Sequence, residues 1–265
     1  MVKSKKSLEE QIQVGDLYKS LSNCDQHYRL SPNYAMKADE QSVGTFFHPY
    51  IGLHYEYGIR GKRILVLGAS FYCNHPTCRF YYKCTDTERK DSSTFDAVCP
   101  FYVKQGIKLH DTPTESISEQ YKAYSTFADY LKTLIPCETY QEAWDSVAFT
   151  NYVQFFLPAQ EGKSRATNFS DLSYRDFNSF IELTRELRPD IVVIWGCVIN
   201  SALKENNPYL DDAGELKETN WYVCHMVHPF THERIALINS YHPSSSAWYT
   251  GIEDFDKYMR KLLQK

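Results

Sequence analysis

The sequence predicts an α/β protein: a three-layer α/β/α sandwich around a central, mainly parallel four-stranded sheet. Four short segments are apolar for most of their length, as parallel strands covered by helices on both faces usually are. Helical patterns lie between these segments, and alternation of strand and helix is typical of parallel sheets. The four strand segments are RILVLG (63–68), SVAFTNYV (146–153), DIVVIWG (190–196) and RIALINSYH (234–242).

Amphipathic patterns predict the helices that cover this sheet. Apolar residues recur at helical spacing in 115–134 and in 174–189, and each pattern stops close to a proline. The segment 252–263 is predicted to form a C-terminal helix. A further helical pattern at 7–21 belongs to an N-terminal appendage of residues 1–45, which precedes a single domain over 46–265.

Composition limits the classes of function. The chain has 33 acidic and 29 basic residues, a net charge of −4, which argues against strong nonspecific nucleic-acid binding but leaves room for a local basic groove. No apolar run approaches the roughly 20 residues that span a bilayer, and the start of the chain lacks the apolar segment of a signal peptide. We therefore expect a soluble, cytoplasmic and monomeric protein without a membrane partner.

Small, polar or aromatic residues follow each predicted strand. Because the carboxyl ends of parallel strands meet at one edge of a sheet, these residues predict a ligand pocket at that edge. Amides can read the edge of a base, aromatic rings can stack on its face, and hydroxyl groups can hold phosphate. This set therefore suits a planar heterocycle attached to an anionic backbone. Its members are Ser70, Phe71, Tyr72, Asn151, Gln154, His242, Ser244, Ser245 and Ser246.

Four motifs in order carry a family resemblance: VLGASFY, FTNYVQ, VVIWG and YHPSS. Together they resemble the uracil-DNA glycosylase superfamily, in particular a branch whose first motif usually reads Gly-Glu-Ser-His-Tyr. The resemblance covers about residues 46–265. It implies a uracil-DNA glycosylase-like fold and a DNA partner. It also implies hydrolysis of the N-glycosidic bond of a uracil or modified base flipped out of DNA. Phe71 and the serines at 244–246 depart from the pocket of classical members, and this altered pocket is the basis for the hypothesis of a role in repair or in defence against modified phage DNA.

The resemblance also assigns roles to single residues. It implies that Asn151 reads the edge of the flipped base and that His242 stabilises negative charge on the leaving base. Tyr72 matches an aromatic residue that closes one side of the base pocket. The implied set comprises Ser70 and His242 in catalysis, Phe71, Tyr72, Asn151 and Gln154 in base binding, and Ser244, Ser245 and Ser246 on the DNA backbone.

The first motif departs from the pattern of this branch. Ala69 stands where the branch carries an acid, and Phe71 stands where it carries a histidine. A methyl group cannot hold a water molecule or face a sugar cation. Three interpretations remain: a binding protein without catalysis, a carboxylate supplied by Asp145 or Glu56, or a single Glu→Ala change that inactivates the chain.

Four cysteines cluster after the first strand. Cys73, Cys78, Cys84 and Cys99 follow the pattern C-x4-C-x5-C-x14-C within 27 residues. They lie in an insertion of about residues 73–110 that is rich in charged and polar residues. Four thiolates could hold an iron–sulfur cluster or a zinc ion there. The alternative is four reduced thiols in a loop.

Structural explanations compete with each functional one. Asn151 could be a buried amide that caps a loop, His242 could be structural, and Phe71 and Tyr72 could belong to the core. Two other functions also remain open: a non-catalytic nucleic-acid or nucleotide-binding protein on the same scaffold, and a metal or redox protein built on the cysteine segment.

Overall fold

The computed structural model describes residues 49–73, 121–153, 156–158, 167–172, 174–205, 207–211 and 223–264. In these ranges the chain is an α/β protein with a six-stranded mixed sheet, a two-stranded sheet and five α-helices. The predicted appendage at 1–45 lies outside the described residues, and so does all of the cysteine-rich segment at 73–110 except Cys73.

The strands and helices alternate as the sequence predicts, with additional short elements. The strands are β1 (Tyr50–Ile51), β2 (Ile64–Gly68), β3 (Phe71–Cys73), β4 (Ala148–Asn151), β5 (Phe156–Pro158), β6 (Ile191–Ile194), β7 (Val223–Val227) and β8 (Arg234–Asn239). The helices are α1 (Lys122–Lys132), α2 (Tyr140–Trp144), α3 (Tyr174–Leu187), α4 (Cys197–Glu205) and α5 (Ser246–Gln264), with a 3-10 turn at Phe169–Asp171.

The main sheet has the strand order β1-β4-β2-β6-β8-β7. Its four central strands are parallel and correspond to the four predicted strands. The prediction of a four-stranded sheet was incomplete, because β1 and β7 add antiparallel edge strands. β1 has two residues, and only Val223 and Met226 of the five β7 residues are buried, so neither strand has the continuous apolar run of a central strand.

Helices cover both faces of the sheet and form three layers. Successive side chains of a strand point to opposite faces. Ile64 and Val66 of β2 pack with α1, α2 and α5, which define the α1 face. Leu65 and Leu67 pack with α3 and α4, which define the α3 face. Two separate buried clusters therefore form the core, one on each face of the sheet.

Local capping explains where the observed helices depart from the prediction. α5 begins at Ser246 rather than at residue 252, and the backbone N–H of Trp248 donates to the hydroxyl of Ser245 at 3.3 Å. α2 is a five-residue helix that begins with a capping box between Thr139 and Glu142. Within the described ranges, no helix has the length and hydropathy needed to cross a bilayer.

Candidate functional site

The carboxyl ends of β4, β2, β6 and β8 form what we call the carboxyl edge. In the register of these strands Gly68 lies beside Asn151, and Ile194 lies beside Asn239. The chain runs from β2 to β4 on one side and then crosses to β6 on the other, so the strand order reverses at β2. Open α/β sheets bind ligands outside the carboxyl ends at such a reversal. A ligand site is therefore expected at the end of β2.

Gly68 and Asn151 are in close contact at this position. A Cβ atom on Gly68 would collide with Oδ1 of Asn151 and would lie 3.2 Å from Cζ of Phe149. The glycine therefore leaves room for the Asn151 amide to lie over the end of β2. Asn151 is 4 % exposed, so it is held in a tightly enclosed position.

Trp195 continues this row across the sheet. It follows β6, and its backbone N–H donates to the carbonyl of Leu67 at 2.9 Å. Its ring packs on the α1 face and meets the ring of His242 edge to face, with centroids 5.8 Å apart. The Asn151 amide therefore lies over β2, and the His242 ring lies against the residue that follows the neighbouring strand β6.

The protonation of His242 follows from its hydrogen bonds. The backbone N–H of Ser244 donates to Nδ1 of His242 at 3.3 Å, and the Ser244 hydroxyl lies 2.8 Å from the same nitrogen. Because a backbone N–H can only donate, Nδ1 is an acceptor and the neutral ring carries its proton on Nε2. Burial lowers the pKa of His242, which favours this neutral ring near pH 7. His242 can then offer one N–H to an acceptor.

The serines after His242 bind the local chain. The N–H and the hydroxyl of Ser245 both donate to the carbonyl of His242, at 2.8 and 2.7 Å. Ser244 and Ser246 are exposed, and Ser246 begins the 19-residue helix α5. The amino end of a helix favours anions. The contacts to the DNA backbone predicted for Ser244, Ser245 and Ser246 therefore fall at the amino end of a helix, which favours an anion. The hydroxyl of Ser245 already donates to the carbonyl of His242.

Ser70 contacts a residue that none of the sequence motifs contains. Its hydroxyl lies 2.8 Å from the hydroxyl of Thr167. The turn after Thr167 is closed by the buried carboxylate of Asp171, which accepts from the N–H of Asn168 at 2.9 Å. The N-x-x-D pattern of a capping box, NFSD, was the available signal for this turn.

Ala69 follows Gly68 at the carboxyl edge, whereas the two candidate carboxylates lie at the opposite edge. Ala69 is half-buried and packs against the core of the α3 face. Asp145 precedes β4 at the opposite edge, where its carboxylate accepts from Tyr50 Oη at 3.0 Å and from Gln141 Nε2 at 2.8 Å. Glu56 lies in the turns before β2, at that same opposite edge. The four residues of β4 separate the two edges by about 10 Å. Neither carboxylate therefore replaces an acid at position 69.

Three buried polar atoms near the carboxyl edge have no hydrogen-bond partner among the described residues. They are Oγ1 of Thr150, Nε1 of Trp195 and Nδ2 of Asn239. Thr150 lines a cavity of about 10 Å³ beneath α3, which has room for about one water molecule. Buried polar groups are usually paired, so this edge keeps hydrogen-bonding capacity that the described residues do not use.

Several predicted site residues lie outside this description. Gln154, Cys78, Cys84 and Cys99 are outside the described residues. For Phe71, Tyr72 and Cys73 only the backbone is described, as β3, which pairs in parallel with β5. Within the described ranges no group of three His, Cys, Asp or Glu side chains could hold a metal ion. The metal prediction for the four cysteines therefore stays a prediction.

Comparisons with known proteins add no family assignment. No protein-family model matches the chain, and no curated protein matches it.

Proposed function

We propose that this chain is a DNA glycosylase-type protein that binds a flipped uracil or modified base at the carboxyl edge. The observation that supports this most strongly is the row of Asn151, Trp195 and His242 around the end of β2. An amide, a large aromatic ring and a neutral imidazole are the groups needed to read, pack and polarise a heterocyclic base.

His242 would supply the electrostatic part of the reaction. Breaking an N-glycosidic bond leaves negative charge on the base and positive charge on the sugar. With Nδ1 occupied by the N–H of Ser244, the Nε2–H of His242 can donate to the oxygen on which that negative charge develops. Such a donor acts without a net charge of its own and is partly withdrawn from water.

The amino end of α5 would hold the DNA backbone next to the base. Ser246 and the exposed ring of Tyr249 lie in its first turn, and Lys122 Nζ lies 5.4 Å from the centroid of that ring. Lys122 starts α1, so two helices present their amino ends here. A lysine, an aromatic face and the amino ends of two helices together favour a phosphodiester with a neighbouring base.

Ala69 is the reason that activity needs a direct test. We would measure base release from single- and double-stranded DNA that contains uracil or a modified base. The chain as written would be compared with Ala69→Glu and with the matched neutral variant Ala69→Gln. We expect abasic sites only with Ala69→Glu, because a carboxylate can position water and face the sugar cation. Failure of all three forms to release any base or bind any of these DNAs would contradict the proposal.

A non-catalytic reader of nucleic acid is the second candidate, and the methyl group at position 69 favours it. In that case all three forms bind the DNA panel with similar affinity and none releases a base. Differences in affinity among the DNAs would then show which base the pocket accommodates best. Equal affinity for plain uracil and for every modified base would argue against a role in handling unusual phage bases.

The four cysteines add a proposal that concerns a different part of the chain. Cys73, Cys78, Cys84 and Cys99 would hold an iron–sulfur cluster or a zinc ion in the insertion. Metal analysis of the purified protein tests this directly. Stoichiometric iron with sulfide identifies a cluster and stoichiometric zinc identifies a zinc site, whereas a metal-free protein with four titratable thiols in this segment removes the proposal.

A further inference from the structure

The segment that leads from β8 to His242 contains a left-handed residue. Tyr241 has φ +59°, a conformation that side chains other than glycine rarely adopt. Both peptide groups of this residue are bound by the two side chains that precede it. Asn239 Oδ1 accepts from the Tyr241 N–H at 3.0 Å, and the Ser240 hydroxyl donates to the Tyr241 carbonyl at 2.9 Å.

This pair of side chains is anchored to the sheet. The N–H of Ser240 donates to the carbonyl of Ile194 on β6 at 3.0 Å, and Asn239 pairs with Ile194 in the sheet register. Asn239 is fully buried, and its Nδ2 has no partner among the described residues. A buried amide that leaves both N–H donors of its NH2 group unused and holds a strained residue is better explained by the position it enforces than by stability.

We propose that Asn239 is a positioning residue: it holds Tyr241 in the left-handed conformation that directs His242 against Trp195. This inference rests on the proposed function only in the use it assigns to His242. Tyr241 immediately precedes His242, so a change in its backbone angles swings the imidazole away from the ring of Trp195. The residues after His242 bind its carbonyl and Nδ1 but belong to the same loop, so they move with it.

The chain contains a matched control for this role. Asn207 is also buried, and its Oδ1 accepts from the N–H of Tyr209, again two residues later, at 2.9 Å. Both sites therefore share the sequence Asn-x-Tyr and the same turn hydrogen bond. Asn207 lies beside β7, where its Nδ2 is 3.8 Å from the sulfur of Met226 and not near His242.

The experiment compares Asn239→Ala with Asn207→Ala in the full chain. Imidazole proton shifts are recorded by NMR, and the His242 signals are assigned by their loss in His242→Gln. The ring of Trp195 shifts the signals of a histidine held 5.8 Å from it. We expect Asn239→Ala to lose most of this shift, Asn239→Ser to keep part of it, and Asn207→Ala to leave it unchanged. A serine hydroxyl can accept the same turn hydrogen bond more weakly, which explains the intermediate result.

The outcomes separate this inference from the proposed function. An unchanged His242 signal in Asn239→Ala, or an equal loss in Asn207→Ala, overturns the positioning role. If Asn239→Ala does not fold, the same comparison is made between Asn239→Ser and Asn207→Ser, with the same criterion. Displacement of His242 in a protein that binds no DNA would support the positioning role and reject the proposed function.

Discussion

The two edges of the sheet use their polar groups differently. At the amino edge, which precedes the central strands, charged groups are paired: Asp190 accepts from the backbone N–H of Arg63 at 2.8 Å and lies 4.0 Å from Lys62 Nζ. The carboxyl edge instead carries neutral groups such as Asn151 and His242. Among the described residues, the buried donors of Trp195 and Asn239 at this edge have no partner.

This difference is consistent with the proposal that the carboxyl edge binds a ligand while the amino edge stabilises the fold. Polar groups that already have partners contribute to folding and offer little to a ligand, whereas a buried donor without a partner is costly until something binds it. The predictions below therefore pair a residue at the carboxyl edge with a similar residue elsewhere, in order of decreasing effect.

The largest contrast is expected between two histidines. At the amino edge, His228 Nε2 lies 2.9 Å from the carbonyl of Ile181, and its Nδ1 accepts from the N–H groups of Phe230 and Thr231. His228→Leu should lower the free energy of unfolding by about 2–3 kcal/mol, because these buried groups lose their partners. His242→Leu should change stability little. In the Ala69→Glu form it should slow base release by about 100-fold or more, since a donor to the developing anion is lost.

Urea unfolding and single-turnover base release check both histidines. Equal destabilisation by the two substitutions, with no difference in base release, would mean that the two edges do not differ in the way proposed.

Gly68→Ala is expected to cost about 1–3 kcal/mol, because its Cβ would meet the Asn151 amide in a packed site. The double variant Gly68→Ala/Asn151→Ala should recover part of that loss, since the colliding amide is removed. Gly61→Ala provides the comparison: Gly61 has φ +76° and nothing within 4 Å of a Cβ, so its cost comes from the backbone alone. Urea unfolding of the unsubstituted chain, Gly68→Ala, Asn151→Ala and the double variant measures the coupling between residues 68 and 151. Strict additivity of the two single changes would show that Gly68 is not required by Asn151.

Two lysines at opposite ends of α1 allow DNA binding to be compared between the two edges. Lys122 lies over the ring of Tyr249 at 5.4 Å near the carboxyl edge, and Lys132 lies over the ring of Tyr140 at 4.3 Å at the other end of the helix. Lys122→Ala should weaken DNA binding several-fold and reduce the slope of log K against log salt by about 1, as expected for one lost phosphate contact. Lys132→Ala should change neither quantity. An equal loss of DNA affinity in both variants would show that the DNA binds elsewhere or that its attraction to the protein is nonspecific.

The smallest expected effect is in the dependence of stability on pH. Burial lowers the pKa values of His228 and His242, so the unfolded chain binds protons at higher pH than the folded chain. Their contribution is complete above the unfolded pKa of about 6.5 and is lost as the pH falls below it. The free energy of unfolding of His242→Leu should therefore fall less steeply below about pH 6.5 than that of the unsubstituted chain. Parallel pH curves would show that His242 titrates alike in both states.

The sequence predicted the central architecture well because its signals are local. The four apolar runs became β2, β4, β6 and β8, and the predicted helix over 174–189 became α3. The edge strands were missed, since β1 has two residues and β7 is only half covered. α4 was missed because the predicted strand DIVVIWG extends to residue 196, whereas β6 ends at Ile194 and the chain turns at Gly196, with φ +120°, directly into the helix.

For the candidate site, the sequence predicted which residue types follow the strands but not how they meet. Asn151, Ser70 and His242 do lie at the shared edge, while their proposed roles stay predictions. Thr167 was missed because its contact with Ser70 joins residues 97 positions apart. The two substitute carboxylates lie at the other edge, because both precede their strands and direction along a strand decides the edge.

The sequence by itself determined the strand segments, the helical faces and the set of polar residues at the strand ends, because periodicity and burial depend on neighbours in the chain. The tertiary structure alone decided the strand order that reverses at β2, the close approach of Asn151 to Gly68 and the contact of His242 with Trp195. Each of these joins segments that are far apart in sequence, and such contacts leave no periodic pattern in the residues that make them.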